Sequence, residues 1–199
     1  DGSFNEYYQN DRSFCPSAFT TYAAAKTFLD CKNIFNDEEK HFIKNTLIKS
    51  SNWLKNHKYP SVQNQMIASM NALYFSSIVL KDSDLFEDYK FRKKEVLQKQ
   101  DEEGWFLEYN GADIGYSFIA LDLFATFLSH NEDEEIINAA LKLIEFIVRF
   151  IHPDGSIGGI YGSRCTAHVM PFGISFFSKY SRPETMYLST WYKEHSEKG

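Results

Sequence analysis

Apolar residues recur at helical spacing along the chain, and stretches with few charges alternate with stretches that hold most of the Lys, Glu and Asp. In the charged stretch 134–150, for example, Ile136, Leu141 and Ile144 belong to one amphipathic stripe. No alternating pattern is long enough for a β-strand. The pattern therefore predicts an all-α protein. The predicted helices cover residues 16–30, 37–57, 61–80, 83–99, 113–129, 134–150 and 165–179.

Polar residues stand where two of these helices are predicted to begin. Asp37 and Ser61 are the predicted N-caps of the second and third helices, because both side chains can accept a hydrogen bond from a first-turn amide. The tail 181–199 contains Trp191 and ends in charge, and it is left without an assigned helix.

A short motif recurs along the chain: an acidic residue, Gly, any residue, and then a large apolar residue. It occupies positions 1–4, 103–106 and 154–157. The glycines of the first two copies are 102 residues apart and those of the last two are 51 apart (104 − 2 and 155 − 104), so an unmarked copy fits at 59–61. A period near 50 residues made of two helices indicates a helical repeat, with Gly forming a tight turn between helices.

The low-charge helices must be covered on all sides, because they have no polar face. We therefore predict that they form an inner layer inside the charged helices. The inner helices are those at 16–30, 61–80, 113–129 and 165–179, and the outer helices are those at 37–57, 83–99 and 134–150.

The central motif resembles the Q-x-x-x-G-x-W turn signature of terpenoid-cyclase-like (α/α) toroids. Gln100, Gly104 and Phe106 occupy its three positions, with Phe in place of Trp, and Ile151 stands at the Gln position of the last copy. The resemblance implies a single domain over 1–199, built as a toroid or open arc of helical hairpins. Because the first residue already lies inside a repeat motif, we expect residue 1 to be a cut edge. The hairpins are too few to close a ring, so the chain is expected to be a fragment of a ring, an open arc, or a part that a partner domain completes.

Composition excludes several classes of partner. The chain has 21 Lys and Arg against 27 Asp and Glu, a net charge of −6, which argues against nucleic acid and against an anionic membrane surface. No apolar run is long enough to cross a bilayer. Cys15, Cys31 and Cys165 are widely spaced, which predicts three reduced, mostly buried thiols and slightly favours a soluble, cytoplasmic protein. Since no metal or phosphate motif is present, we predict neither a metal nor a cofactor.

The motif turns are predicted to lie on one rim of the toroid, where the N-termini of the inner helices favour an anionic ligand group. The loops of this rim carry polar and aromatic residues that the opposite turns lack. The candidate substrate-binding residues are Glu6, Arg12, Asn64, Gln65, Glu108, Asp113 and Arg164. The candidate catalytic residues are Tyr116, Tyr161 and His168.

A structural role is an alternative for several of these side chains. Glu6 and Glu108 share one repeat position and can each cap a following backbone amide. Arg164 can bind a carbonyl or carboxylate of its own fold. Tyr7, Tyr109 and Tyr161 can simply plug the repeat turns.

The segments 161–164 and 62–65 resemble rim segments of heparinase-like polysaccharide lyases, which are also toroids. The resemblance implies that amide or guanidinium groups neutralise a uronate carboxylate while a Tyr or His moves the proton of the neighbouring carbon. The implied neutralising residues are Asn64, Gln65 and Arg164, and the implied proton-transfer residues are Tyr116, Tyr161 and His168.

We therefore predict a carbohydrate-active or glycan-binding protein, with a polysaccharide lyase of acidic glycans as its enzymatic form. Glu108 and Asp113 also offer a carboxylate pair for glycoside hydrolysis. The alternatives are a terpenoid-cyclase-like or prenyltransferase-like toroid for an isoprenoid, and a helical repeat scaffold without catalysis.

Overall fold

The computed structural model of the chain describes residues 1–57, 60–158 and 169–196. Eight α-helices lie in these ranges, which contain isolated β-bridges but no β-strand. The helices are Phe14–Cys31 (α1), Asp37–Asn56 (α2), Gln63–Leu80 (α3), Ser83–Leu97 (α4), Ile114–Leu128 (α5), Glu134–Ile147 (α6), Pro171–Phe177 (α7) and Pro183–Ser196 (α8). The predicted all-α class is confirmed.

The last part of the chain differs most from the prediction. Of the predicted helix 165–179, residues 165–168 lie outside the described residues, and the described part holds α7 followed by a 3-10 helix at Ser178–Tyr180. Helix α8 lies in the tail, where no helix was predicted. It begins with Pro183, which suits a first helical position because its missing N–H would have no partner there. Its buried side is confined to Thr185, Leu188 and Trp191, too few positions to show as an amphipathic stripe.

Both predicted N-caps are wrong by one position. The N-cap of α2 is Asn36: its side chain accepts from the Glu39 amide at 2.9 Å, and the Glu39 carboxylate accepts from the Asn36 amide at 2.8 Å. This reciprocal capping box satisfies two amides, which Asp37 alone could not do. Helix α3 begins at Gln63, so Ser61 stands one position before its N-cap.

The chain forms two compact units. The N-terminal unit comprises Asp1–Ser61 and Gln65–Val96, and the C-terminal unit comprises Val62–Asn64 and Leu97–Gly199. Helix α3 therefore begins in the C-terminal unit and continues in the N-terminal unit. The predicted single domain and its closure into an arc or ring stay predictions.

The motif glycines form turns that other residues would strain. Gly2, Gly104 and Gly155 have φ angles of 108°, 100° and 81°, a region that side chains with a Cβ rarely adopt. A Cβ at Gly2 would overlap the carbonyl of Lys49 in α2. At Gly104 it would overlap the carbonyl of Lys142 in α6, and at Gly155 a side chain of α8. Each turn thus packs on the second helix that follows it. The positive φ angles of Gly104 and Gly155 confirm the conformations predicted for these two glycines.

The central turn is held by the side chain of Gln100. Its Nε2 atom donates to the carbonyl oxygens of Gly104 and Ala139, both at 2.8 Å. Gln100 also forms an antiparallel bridge with Phe106. One half-buried amide therefore ties the turn to itself and to α6.

We expect Gln100→Ala to lower the free energy of unfolding by about 1–3 kcal/mol, because two carbonyl oxygens would lose a donor. Gln98→Ala is the matched control: Gln98 is exposed, and its loss should change stability by less than about 0.5 kcal/mol. Denaturant unfolding of both variants measures the difference. Equal stabilities would show that the Gln100 amide does not hold the turn.

The predicted burial of the apolar motif residue is confirmed only in the central turn. Phe106 is buried, with its ring 5.6 Å from that of Phe124 in α5. Phe4 and Ile157 are half-buried. The seams of the outer turns are therefore looser than the central one.

Burial follows the predicted inner and outer helices only in the middle of the chain. In α3 and α5, 15 of 18 and 12 of 15 residues are buried, as expected for inner helices. In α1 only 6 of 18 are buried, and α7, with 3 of 7, is less buried than α6, with 9 of 14. A low-charge helix rich in Ala and Thr can stay exposed at little cost, so lack of charge alone overestimates burial.

Candidate functional site

The second repeat turn continues into a small loop that lies against the start of α3. We call residues 107–111 the Glu108 loop. The amide of Glu108 donates to the Gly111 carbonyl at 2.7 Å, and the Gly111 amide donates back to the Glu108 carbonyl at 3.1 Å. Leu107 accepts a hydrogen bond from the Gln63 amide at 3.0 Å. Tyr109 at the tip has a left-handed φ of 55°, a conformation that a non-glycine residue adopts only when its surroundings hold it there.

The Glu108 side chain turns inward and caps α3. Its carboxyl is buried and accepts the Asn64 amide at 2.7 Å, together with a hydrogen bond from the Asn64 side-chain amide. A carboxyl at this place satisfies one of the amides that a helix N-terminus leaves without a partner. The predicted capping role of Glu108 is therefore present, but the capped amide lies 44 residues earlier in the chain rather than after it.

Asp113 is the second buried carboxyl of the site. It is the N-cap of α5, where its side chain accepts the Tyr116 amide at 2.9 Å. The electrostatic interaction with Asp113 contributes to the raised pKa of Glu108.

The pKa of the Glu108 carboxyl is well above the ordinary value for glutamate. Its pKa is raised to about 8, mainly because burial penalises the charged form. The two N–H groups of Asn64 oppose this rise, and the charge of Asp113 adds to it. Glu108 therefore keeps its proton at neutral pH.

Two tyrosines belong to the same loop and helix start: Tyr109 directly follows Glu108, and the backbone amide of Tyr116 donates to Asp113. The rings of Tyr109 and Tyr116 are 5.9 Å apart at an angle of 54°. Tyr109 is 41% exposed and Tyr116 is half-buried. The interpretation of the motif tyrosines as turn plugs is wrong for Tyr109 and for Tyr7, which is 74% exposed at the first turn. These rings face water and can contact a ligand.

The structure thus brings four of the candidate residues together in the C-terminal unit: Asn64, Glu108, Asp113 and Tyr116. Asn64 is buried and donates to Glu108, so its side chain supports the loop. Tyr109, which belongs to this site, was absent from the candidate residues. Its signal was its position directly after Glu108 in the motif loop.

Three other candidates belong to the N-terminal unit. Glu6 accepts a hydrogen bond from the Ser13 hydroxyl at 2.7 Å rather than from a backbone amide. Arg12 has a left-handed φ of 51°, and its Nε atom lies 3.1 Å from the Asp1 carboxylate. Gln65 is half-buried in α3. The remaining candidates, Tyr161, Arg164 and His168, lie outside the described residues.

A cavity of about 240 Å³ lies at the third turn, at Gly155. Its lining includes His152, Asp154, Trp191, Glu194 and His195. The Trp191 indole donates to the Gly155 carbonyl at 2.8 Å, so α8 covers this turn. The sequence carried a signal for α8 that we did not use: the W-x-K-x-H pattern of 191–195 also occurs at 53–57, at the C-terminal end of α2. In both places the Trp and His rings stack.

Within the described ranges, no three His, Cys, Asp or Glu side chains are grouped so that they could hold a metal ion. Cys15 is half-buried and Cys31 is exposed, whereas the sequence predicted mostly buried thiols, and Cys165 lies outside the described residues. Among the described helices, none combines the length and the apolar character needed to cross a membrane.

No protein-family model matches the chain, and no curated protein matches it. The toroid and lyase resemblances therefore stay predictions from short motifs.

Proposed function

We propose that the protein binds carbohydrate at the Glu108 loop. The observation that carries the proposal is the Tyr109–Tyr116 ring pair on the loop and helix start that hold Glu108, a buried carboxyl whose pKa burial raises to about 8. The C–H faces of a sugar ring pack on aromatic rings, while its hydroxyl groups need hydrogen-bonding partners nearby. Tyrosine supplies both a flat apolar face and a hydroxyl, and it loses little side-chain entropy on binding.

Two acidic residues at a site would normally disfavour an acidic glycan, but the raised pKa of Glu108 reduces this repulsion. Glu108 and Asp113 together would place two negative charges next to the tyrosines and would repel a uronate or sulfate. Because the pKa of Glu108 is about 8, one of these charges is absent at neutral pH. Arg164, predicted from the sequence at the same rim, would supply the positive charge that such a glycan needs.

If the protein is an enzyme, the reaction we propose is lyase cleavage of an acidic glycan. Tyr116 would take part in the proton transfer together with Tyr161 or His168, and Arg164 would neutralise the uronate carboxylate. This assignment rests on the resemblance of the rim segments to polysaccharide lyases.

The titration of Glu108 favours glycoside hydrolysis as a second candidate reaction. A glycosidase needs one carboxyl that keeps its proton as a general acid and a second carboxylate near it. Glu108 suits the first role and Asp113 the second. Products separate the two reactions, because a lyase introduces a C=C bond that absorbs ultraviolet light and a hydrolase adds water without it.

Titration calorimetry with uronate-containing and neutral oligosaccharides tests the binding proposal. We expect Tyr109→Ala to weaken binding by about 1–2 kcal/mol, roughly 5- to 30-fold, because the ring would no longer pack on the sugar. We expect Arg164→Ala to weaken binding of the acidic oligosaccharides by roughly 1.5–3 kcal/mol.

Tyr187→Ala is the matched control, since Tyr187 is 51% exposed on α8 and lies in the same unit. It should bind as wild type does. If wild type binds neither kind of oligosaccharide, the proposal fails. If Tyr109→Ala and Tyr187→Ala bind equally well, the glycan site lies elsewhere.

A further inference from the structure

A shallow apolar groove lies at the start of α2, in the N-terminal unit. It has a volume of about 370 Å³, and its lining residues are Phe35, Glu38, Glu39, Phe42 and Ile43. We call it the Phe42 groove. Phe42 is 71% exposed, and Ile34, next to Phe35 in the chain, is 76% exposed. Two large apolar side chains thus stand in water on either side of one helix start.

The groove is formed before any partner arrives. The capping box between Asn36 and Glu39 fixes the first turn of α2. The Phe35 ring stacks on Phe28 in α1, with centroids 6.0 Å apart and planes 7° from parallel. Because this surface is already ordered, little conformational entropy would be lost when a partner binds.

Folding does not explain why these two apolar side chains are exposed. Most of the Phe42 side chain is in water, so it contributes little to the core, and a polar residue would serve α2 equally well. Apolar side chains grouped around a groove with a polar border mark a binding surface. The volume is near the lower end of the range for small-ligand pockets, which suits the side chains of a docked peptide.

We propose that the Phe42 groove binds an amphipathic helix of a partner protein, with Lys or Arg beside its apolar face. Charge selects this occupant: two of the five lining residues, Glu38 and Glu39, are acidic and none is basic. A helix lays apolar residues three and four positions apart into such a groove, and its flanking cations face the carboxylates. The net charge of −6 also favours the approach of a basic segment.

Fluorescence anisotropy with two synthetic peptides tests the proposal. Both have about 14 residues with leucines at helical spacing, and the remaining positions are Lys in one and Glu in the other. We expect wild type to bind the Leu/Lys peptide at least about tenfold more tightly than the Leu/Glu peptide. Phe42→Ala should weaken binding of the Leu/Lys peptide about tenfold or more.

Phe91→Ala is the matched control, because Phe91 is 62% exposed on α4 in the same unit, and it should leave binding unchanged. Glu38→Lys provides a second variant that leaves every apolar lining residue in place, and it should abolish the preference for the Leu/Lys peptide. Failure of wild type to bind the Leu/Lys peptide overturns the proposal. So does equal binding of the two peptides, or an equal effect of Phe42→Ala and Phe91→Ala. Self-association of wild type that Phe42→Ala abolishes would identify a second copy as the occupant and would also overturn it.

Discussion

Replacing Gly104 with alanine is expected to lower the free energy of unfolding by about 2–5 kcal/mol. At a φ of 100°, a residue with a Cβ is strained by roughly 1–2 kcal/mol. The added Cβ would also overlap the carbonyl of Lys142, so α6 would have to move, which typically costs about 1–3 kcal/mol. For a chain of this size each kcal/mol lowers the melting temperature by about 2–4 °C. Thermal and urea unfolding of the variant measure the loss.

Gly111→Ala is the matched control for this substitution. Gly111 lies seven positions later (111 − 104), has no positive φ, and has open space where a Cβ would be added. Its replacement should leave stability unchanged or raise it slightly, because alanine reduces the freedom of the unfolded chain. If Gly104→Ala is as stable as Gly111→Ala, the repeat turn does not require glycine and the account of the motif is wrong.

The second prediction concerns pH. A carboxyl whose pKa rises from 4.5 to about 8 on folding binds more protons in the folded state than in the unfolded state between these values. Its contribution to stability is therefore present at low pH, falls as the pH rises above about 4.5, and is lost above about 8. We expect Glu108 to cause a loss on the order of 3 kcal/mol between pH 5 and pH 9.

Glu108→Gln isolates this effect, because an amide has nearly the same shape but does not titrate. Wild type should lose on the order of 3 kcal/mol relative to Glu108→Gln between pH 5 and pH 9. Glu103→Gln, at an exposed position, should instead follow the wild-type profile. Urea unfolding across this pH range gives all three curves. A constant difference between wild type and Glu108→Gln would mean that Glu108 is ionised throughout, and the charge argument for an acidic glycan would fail with it.

Local patterns predicted much of the fold. Helical periodicity placed α1 to α6 within a few residues of their observed bounds, because side-chain spacing along one helix is a property of that segment alone. The motif glycines at 104 and 155 were also predicted correctly, since a Gly between two helical patterns signals a turn that needs its conformational freedom.

Features that depend on distant residues were not predicted. Glu108 was a candidate cap, but the amide that it caps belongs to Asn64, and no local pattern specifies a partner 44 residues away. Helix α8 was missed because it is buried through three residues that carry no clear periodic stripe. The exposure of α1 was missed because lack of charge was taken as a sign of burial.

The candidate site shows the same limit. The sequence selected Glu108, Asp113 and Tyr116 by residue type and repeat position, and the structure places them together. The sequence could not indicate that Asn64 donates to the carboxyl of Glu108, or that burial raises the pKa of that carboxyl. Both follow from the docking of the Glu108 loop on the start of α3.

The measurement that tests the central claim most directly is a titration of isotope-labelled protein with a uronate-containing oligosaccharide, followed by amide NMR spectra. If carbohydrate binds at the Glu108 loop, the amide signals of Tyr109, Gly111 and Tyr116 will shift in a saturable manner, and the same titration of Tyr109→Ala will need several-fold more ligand. Absence of any saturable shift with acidic and with neutral oligosaccharides, or shifts that leave these three amides unchanged, would contradict the account.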